Sequence, residues 1–156
     1  AWSAPCPANV PPKALIFYAS AYGNTELMAR HIAQGLEEGH VQAVLLDATS
    51  LQVQDHLESI ETADALLFGS PTLNNDAVKP IWDILTSLVT LDIKGKIAAS
   101  FGSMGWSGEA VEMLDHRLAS LKCKVPVPGL TATLAPSSDD LQKCIDFGRS
   151  IAQQLG

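Results

Sequence analysis

The chain has 156 residues, 10 basic and 17 acidic side chains, a formal net charge of −7 and 47% hydrophobic content. That length suits one domain that buries about two-thirds of its unfolded surface without disulfide or metal staples, and the apolar content excludes a disordered chain. The acidic balance argues against nucleic acid and membranes as partners while permitting a basic protein, and no apolar run approaches the ~18 residues of a membrane span.

Residues 1–12 hold four of the nine prolines and no periodic apolar pattern, so they read as an irregular arm or linker ahead of a folded domain over 13–156. The run Ala14-Leu15-Ile16-Phe17-Tyr18-Ala19 is continuously apolar and of strand length, as expected for a strand buried on both faces. A polar loop follows from Ser20 to Thr25. Met28, Ile32 and Leu36 then recur at i, i+4, i+8 and predict a helix with Gly39 at its C-cap, and Glu26 and Arg30 pair on its wet side. A second strand over 43–46 ends at Asp47, and a short helix covers 53–60. The third strand, 65–68, closes on Gly69-Ser70-Pro71.

A helix carrying Ile81, Ile84, Leu85 and Leu88 comes next, with Pro80 tolerable only in its first turn. The fourth strand is predicted over 97–101. Val111, Leu114, Leu118 and Leu121 mark one face of the following helix, whose N-cap is Ser107. A last strand lies within 128–134. The closing helix, started by Ser137 or Ser138, carries Leu141, Cys144, Ile145, Ile151, Ala152 and Leu155 on one stripe.

Strands alternating with helices predict an α/β domain with a parallel, doubly wound sheet covered on both faces. Such sheets bind ligands outside the carboxyl ends of their strands, where strand order reverses. Functional residues are therefore expected just after strands one, three and four.

The loop after strand one, Ser20-Ala21-Tyr22-Gly23-Asn24-Thr25, offers two hydroxyls, a side-chain amide and a flexible backbone at a helix N-terminus, which together suit a phosphate. It lacks the Lys-Ser/Thr pair of nucleotide hydrolases and the G-x-G-x-x-G of dinucleotide sites. A single terminal monophosphate held by neutral donors is the guest this loop suits. The alternative is an ordinary polar turn capped by Asn24 or Thr25.

In Ser70-Pro71-Thr72-Leu73-Asn74 the proline stiffens a loop whose Thr72, Asn74 and amides could face the edge of a planar heterocycle; taken alone, it reads more readily as a plain loop with an Asx-type turn. Gly102-Ser103-Met104-Gly105-Trp106-Ser107-Gly108 brings flexible backbone and a stacking face to a flat ligand, unless Trp106 merely covers the sheet edge. Trp82 reads as helix-face packing and Trp2 as an arm residue.

Cys6, Cys123 and Cys144 are odd in number with no C-x-x-C spacing, so a reducing, cytoplasmic compartment is expected. The N-terminus also lacks the order of a signal peptide. His31, His40, His56 and His116 have no second His or Cys at metal-ligand spacing and read as helix-surface residues.

The stretch Ser20-Ala21-Tyr22-Gly23-Asn24-Thr25-Glu26 resembles the phosphate loop of flavodoxin-like FMN domains. Gly69-Ser70-Pro71-Thr72-Leu73-Asn74 and Phe101-Gly102-Ser103-Met104-Gly105-Trp106-Ser107-Gly108-Glu109-Ala110 are similar to the two flavin-ring loops of the carboxy-terminal flavodoxin domain of flavodiiron proteins. The resemblance runs from Lys13 to Leu155, and Gly-Trp-Ser-Gly is its most specific part. Ala21 and Met104 depart from it, standing where bulkier or aromatic residues are expected in many relatives.

The resemblance implies a flavodoxin-like three-layer sandwich with a five-stranded parallel sheet in the order 2-1-3-4-5. It also implies one FMN, a redox donor protein or reductase, and a diiron domain upstream or in a partner subunit. Head-to-tail homodimers of the full-length protein would bring FMN of one subunit near the iron of the other. Reduction of dioxygen or nitric oxide would belong to that diiron domain, since this chain has no such His/Asp/Glu cluster. Two rival readings are an NAD(P)H:quinone reductase on the same fold and an interaction module without cofactor.

Overall fold

In the computed structural model, residues 12–19, 24–50, 53–70, 79–88, 96–104, 109–121, 123–125, 129–133 and 137–155 are described. The apolar runs become strands β1 (Lys13–Tyr18), β2 (Gln42–Asp47), β3 (Ala65–Gly69), β4 (Ile97–Met104) and β5 (Leu130–Thr133). Each pairing is parallel, and the described strands lie in the order β2-β1-β3-β4-β5. The helices are α1 (Asn24–Glu38), α2 (Leu57–Thr62), α3 (Lys79–Leu88), α4 (Glu109–Ser120) and α5 (Ser138–Leu155). A 3-10 turn over Val53–His56 leads into α2, so the single short helix expected over 53–60 divides in two.

Alternation along the buried strands sends side chains to two cores. Leu15, Phe17, Leu66, Phe68 and Ala98 meet Ile60 of α2, Ile81, Ile84, Leu85 and Leu88 of α3, and Leu114 and Leu118 of α4. Phe17 and Phe68 stack there, centroids 5.3 Å apart. On the other face Ala14, Ile16, Tyr18, Ala65, Leu67, Ala99 and Phe101 meet Met28, Ile32 and Leu36 of α1 and Cys144, Phe147 and Ile151 of α5.

The helix ends refine the sequence reading. Val41 N–H donates to Leu36 O at 2.9 Å and His40 N–H to Glu37 O at 3.0 Å, the pair of bonds that closes a Schellman turn. Gly39 is the C-cap, but the left-handed residue is His40, with φ 66°. His40 therefore sits in a turn rather than on a helix surface. Gly39 has a different reason to be small: a Cβ there would collide with Cβ of Ala152 in α5. At the start of α5, Ser137 Oγ accepts from Asp140 N–H at 3.2 Å while Asp140 Oδ2 accepts from Ser137 N–H at 3.0 Å. That reciprocal box makes Ser137 the N-cap.

α1 and α5 approach backbone to backbone. A Cβ on Gly35 would collide with the Ile145 carbonyl oxygen, and one on Gly148 with the Ile32 carbonyl oxygen. An exposed ion pair between Glu38 and Arg149 spans the same two helices, with Nε to Oε1 at 2.8 Å. Hydrogen bonds from Arg149 and Gln34 hold the Glu38 carboxyl below the usual range, but exposed pairs contribute little to stability. Among the described residues no helix is long and apolar enough to cross a membrane.

Glycine to alanine in a helix interior ordinarily gains about 0.5–1 kcal/mol. At Gly148 the sign should reverse, because the new methyl meets backbone that has no rotamer to escape into. Urea unfolding of Gly148→Ala is expected to show a loss of about 1–3 kcal/mol; unchanged or raised stability would refute the close-contact account.

Candidate functional site

The parallel registers bring the ends of β1 and β3 to one level, beside Phe101 of β4, which runs on to Met104. Tyr18 of β1 lies opposite Gly69 of β3, and Gly69 opposite Phe101 of β4. The ladder continues one residue past the strands: Ala19 N–H donates to Gly69 O and Ser70 N–H to Phe101 O, both at 3.1 Å. Segments leaving β1 and β3 therefore emerge side by side at the carboxyl edge. Gly69 is bare because the Phe101 ring lies across it; a Cβ there would overlap the ring.

Of the residues expected to form the site, Asn24 and Thr25 belong to α1 rather than to the loop, since the helix begins at Asn24. Thr25, in the first turn, is 1% exposed. Ser70 stands directly after β3 and is fully buried. Ser103 and Met104, read as loop, continue β4 instead. The cause is long-range: Gly102, Ser103 and Met104 pair with Thr131, Ala132 and Thr133 of β5, so the ladder extends past Phe101. Ser20, Ala21, Tyr22, Gly23, Pro71, Thr72, Leu73, Asn74, Gly105, Trp106, Ser107 and Gly108 lie outside the described residues, as does Ser107's expected N-cap. The described members thus bring the buried Thr25 and Ser70 to the edge where α1 begins, and a helix N-terminus at that edge suits an anion.

The local field is negative on balance. Burial first, then the carboxylates of Glu26 and Asp47, push the Tyr18 phenol up, and Arg30 only partly offsets them. Arg30 is engaged by Glu26, its Nη2 2.7 Å from the carboxylate. Asp47 turns back on the next segment, accepting from Thr49 N–H at 2.9 Å and Thr49 Oγ1 at 2.6 Å.

Sequence reasoning passed over Ser100 and Asp115. Ser100 is a fully buried hydroxyl in β4, and it donates to Asp115 Oδ1 at 2.6 Å. Its signal in the sequence is a lone hydroxyl inside the apolar run Ile97-Ala98-Ala99-Ser100-Phe101. Asp115, one acid among many on a helix, has no such signal.

Cys123 and Cys144 are buried thiols outside any disulfide. Burial, with a smaller push from Asp140, raises the Cys144 thiol to about 12, and burial raises Cys123 against a small opposing pull from Lys96. Neither suits thiolate chemistry at neutral pH. Among the described residues no group of three or more His, Cys, Asp and Glu is arranged to hold a metal.

The flavodoxin family model matches residues 16–148. The type A flavoprotein fprA of Rhodobacter capsulatus is 44% identical over 142 residues, which cover 90% of this chain and 33% of that protein. Rubredoxin oxygen:oxidoreductase from Desulfovibrio gigas superposes with a TM-score of 0.88 at 28% identity, over 93% of this chain and 37% of that one. A flavodoxin from the domain Archaea superposes with a TM-score of 0.85 at 32% identity, over 92% of this chain and 98% of that one. The chain spans about a third of the length of the first curated relatives it matches.

The Cys144 shift carries a sign. Between the ordinary thiol value of 9.0 and about 12, the unfolded chain has lost a proton that the folded chain keeps. Stability should therefore fall as pH rises through that window and be unaffected by this thiol below it. Urea titrations at successive pH values test this, with Cys144→Ala as the comparison. At pH 8, iodoacetamide should leave Cys144 unmodified until the protein is unfolded, and rapid labelling of the folded chain would contradict its burial.

Proposed function

The chain belongs to the flavodoxin family, and on that premise we propose that it is a flavoprotein domain that binds FMN non-covalently and takes part in electron transport. The observation that carries the proposal is the meeting of the β1 and β3 ends beside Phe101 of β4, with the buried Thr25 and Ser70 and the N-terminus of α1 at the same edge. We take the sheet β2-β1-β3-β4-β5 as the doubly wound centre of a three-layer sandwich.

In this reading, residues 20–25 hold the phosphate. The helix N-terminus supplies backbone N–H groups and partial positive charge, and the hydroxyls supply neutral donors, so no cation is needed. Residues 70–74 hydrogen-bond the ring edge. Residues 103–108 close the opposite side with Trp106 stacked on the ring, and the β5 pairing of Ser103 and Met104 gives that segment a rigid base. Bound FMN supplies transfer of one or two electrons, and the chain binds, orients and tunes it.

The relatives support placing this domain in a longer flavodiiron-type protein. Electrons would come from a redox donor protein or reductase and pass to a diiron centre upstream or in a partner subunit, with dioxygen or nitric oxide as terminal substrate and a full-length homodimer as the assembly. The proline-rich residues 1–12 serve as the linker to the rest of that protein, and 13–156 as the flavin domain; Pro12 already joins the ladder, its carbonyl accepting from Gln42 N–H at 2.8 Å.

Titration of the purified chain with FMN, followed by its visible spectrum, tests the central point. Tight stoichiometric binding is expected, and a chain that stays colourless and leaves added FMN free would remove the cofactor from the reading. Thr25→Val should weaken FMN by about tenfold, the scale of one hydrogen bond to a charged group, while leaving riboflavin binding unchanged. Steady NADPH oxidation with a quinone by the chain alone would instead favour a quinone reductase.

The negative field at Tyr18 and the net charge of −7 oppose adding a second electron to the flavin. The second one-electron potential of bound FMN should accordingly lie below that of free FMN. A redox titration placing it well above the free value would rule this out.

A further inference from the structure

We propose that Asp115 is a positioning residue for the flavin-ring segment 103–108, acting through Ser100 and Gly129; this rests on the FMN reading above. Its two carboxylate oxygens serve two different elements. Oδ1 accepts from Ser100 Oγ of β4 at 2.6 Å, and Oδ2 accepts from Gly129 N–H, just ahead of β5, at 2.9 Å. One side chain on α4 therefore fixes both strands that frame the segment.

The geometry gives this link leverage. Ser100 and Asp115 are 15 positions apart, and everything between them is the end of β4, the ring segment and the start of α4. Their bond closes that excursion at its base. The second bond acts on the other side. β3 pairs with β4 only as far as Phe101, and beyond that level β5 carries the ladder through Gly102, Ser103 and Met104. Anchoring Gly129 sets where β5 begins and so where the β4 extension points.

The chemistry suits an acid at this position. Two donors converge on one group, and a carboxylate accepts both without turning either away. Asparagine can preserve the link by a different route: its carbonyl takes the Gly129 N–H, and its amide donates to Ser100 Oγ, which can accept. Alanine removes both bonds and leaves the buried Ser100 without this acceptor. The β4 extension and the start of β5 should then be held less firmly, and every ligand that uses the ring should bind less tightly. The phosphate end, held by residues of the β1–α1 connection, should not be affected.

Wild-type, Asp115→Ala, Asp115→Asn and Ser100→Ala chains can each be titrated with FMN and with riboflavin. Visible circular dichroism of the bound flavin and its midpoint potentials would be recorded alongside. Asp115→Ala should lose about tenfold in affinity for both flavins, leaving their ratio unchanged, and should move the potentials towards those of the free flavin. Asp115→Asn should stay within about threefold of wild type. Ser100→Ala, which removes one of the two bonds, should fall between them, and it carries the comparison if Asp115→Ala does not fold. The proposal is overturned if these variants only lower the melting temperature, with affinities and potentials unchanged. It is also overturned if FMN alone weakens, which would place the effect at the phosphate. A wild-type chain that binds neither flavin would instead overturn the FMN reading and this inference with it.

Discussion

The contact of α1 with α5 at Gly35 and Gly148 is close enough to exclude a single methyl group on either helix, and it sets how α1 lies on the sheet. Much of the rest depends on that placement. With α5 in contact along Gly35, Gly39, Gly148 and Ala152, α1 can lower Met28, Ile32 and Leu36 onto Ala14, Ile16 and Ala99 without a gap. Its first turn then falls at the carboxyl end of β1, where Thr25 is buried. A helix pushed outward by one methyl would carry its N-terminal dipole with it, and anion binding at a helix terminus falls off within one turn. The exposed Glu38–Arg149 pair spans the same two helices but adds little. Packing makes this joint, with charge secondary.

On the opposite face three shorter helices share one core. There the polar link Ser100–Asp115–Gly129 ties strand to helix, alongside the Phe17–Phe68 stack and the aliphatic side chains of α3. Buried polar links are directional where apolar contact is not, so they fix orientation more than they add stability. The carboxylates of Glu26 and Asp47 act on a different quantity: with burial, they disfavour negative charge on the Tyr18 phenol.

Much of the fold was legible in the sequence, and for identifiable reasons. A strand buried on both faces must be apolar throughout, so β1 and β3 appear as unbroken runs. A helix on a sheet must be apolar every third or fourth residue, so α1, α3 and α5 appear as stripes. Alternation of the two then requires a parallel sheet, and a parallel sheet of this kind gathers its ligand-facing segments after particular strands. The flavodoxin resemblance, carried by the segments at those places, agrees with the family match over residues 16–148.

What the sequence determined alone was therefore whatever depends on neighbours within a turn or two: apolar period, a serine cap at Ser137 or Ser138, and the composition of the segments after β1, β3 and β4. Tertiary structure decided the rest. Gly35 and Gly148 look like ordinary helix glycines until the other helix is present. Met104 looks like loop until β5 supplies ladder partners, and Asp115 looks like one surface acid until Ser100 and Gly129 turn towards it. Gly39 likewise looks like an ordinary C-cap glycine until Ala152 of α5 lies where its Cβ would be. Each of these is a contact between residues far apart in the chain, and no local pattern records a partner that only folding brings near.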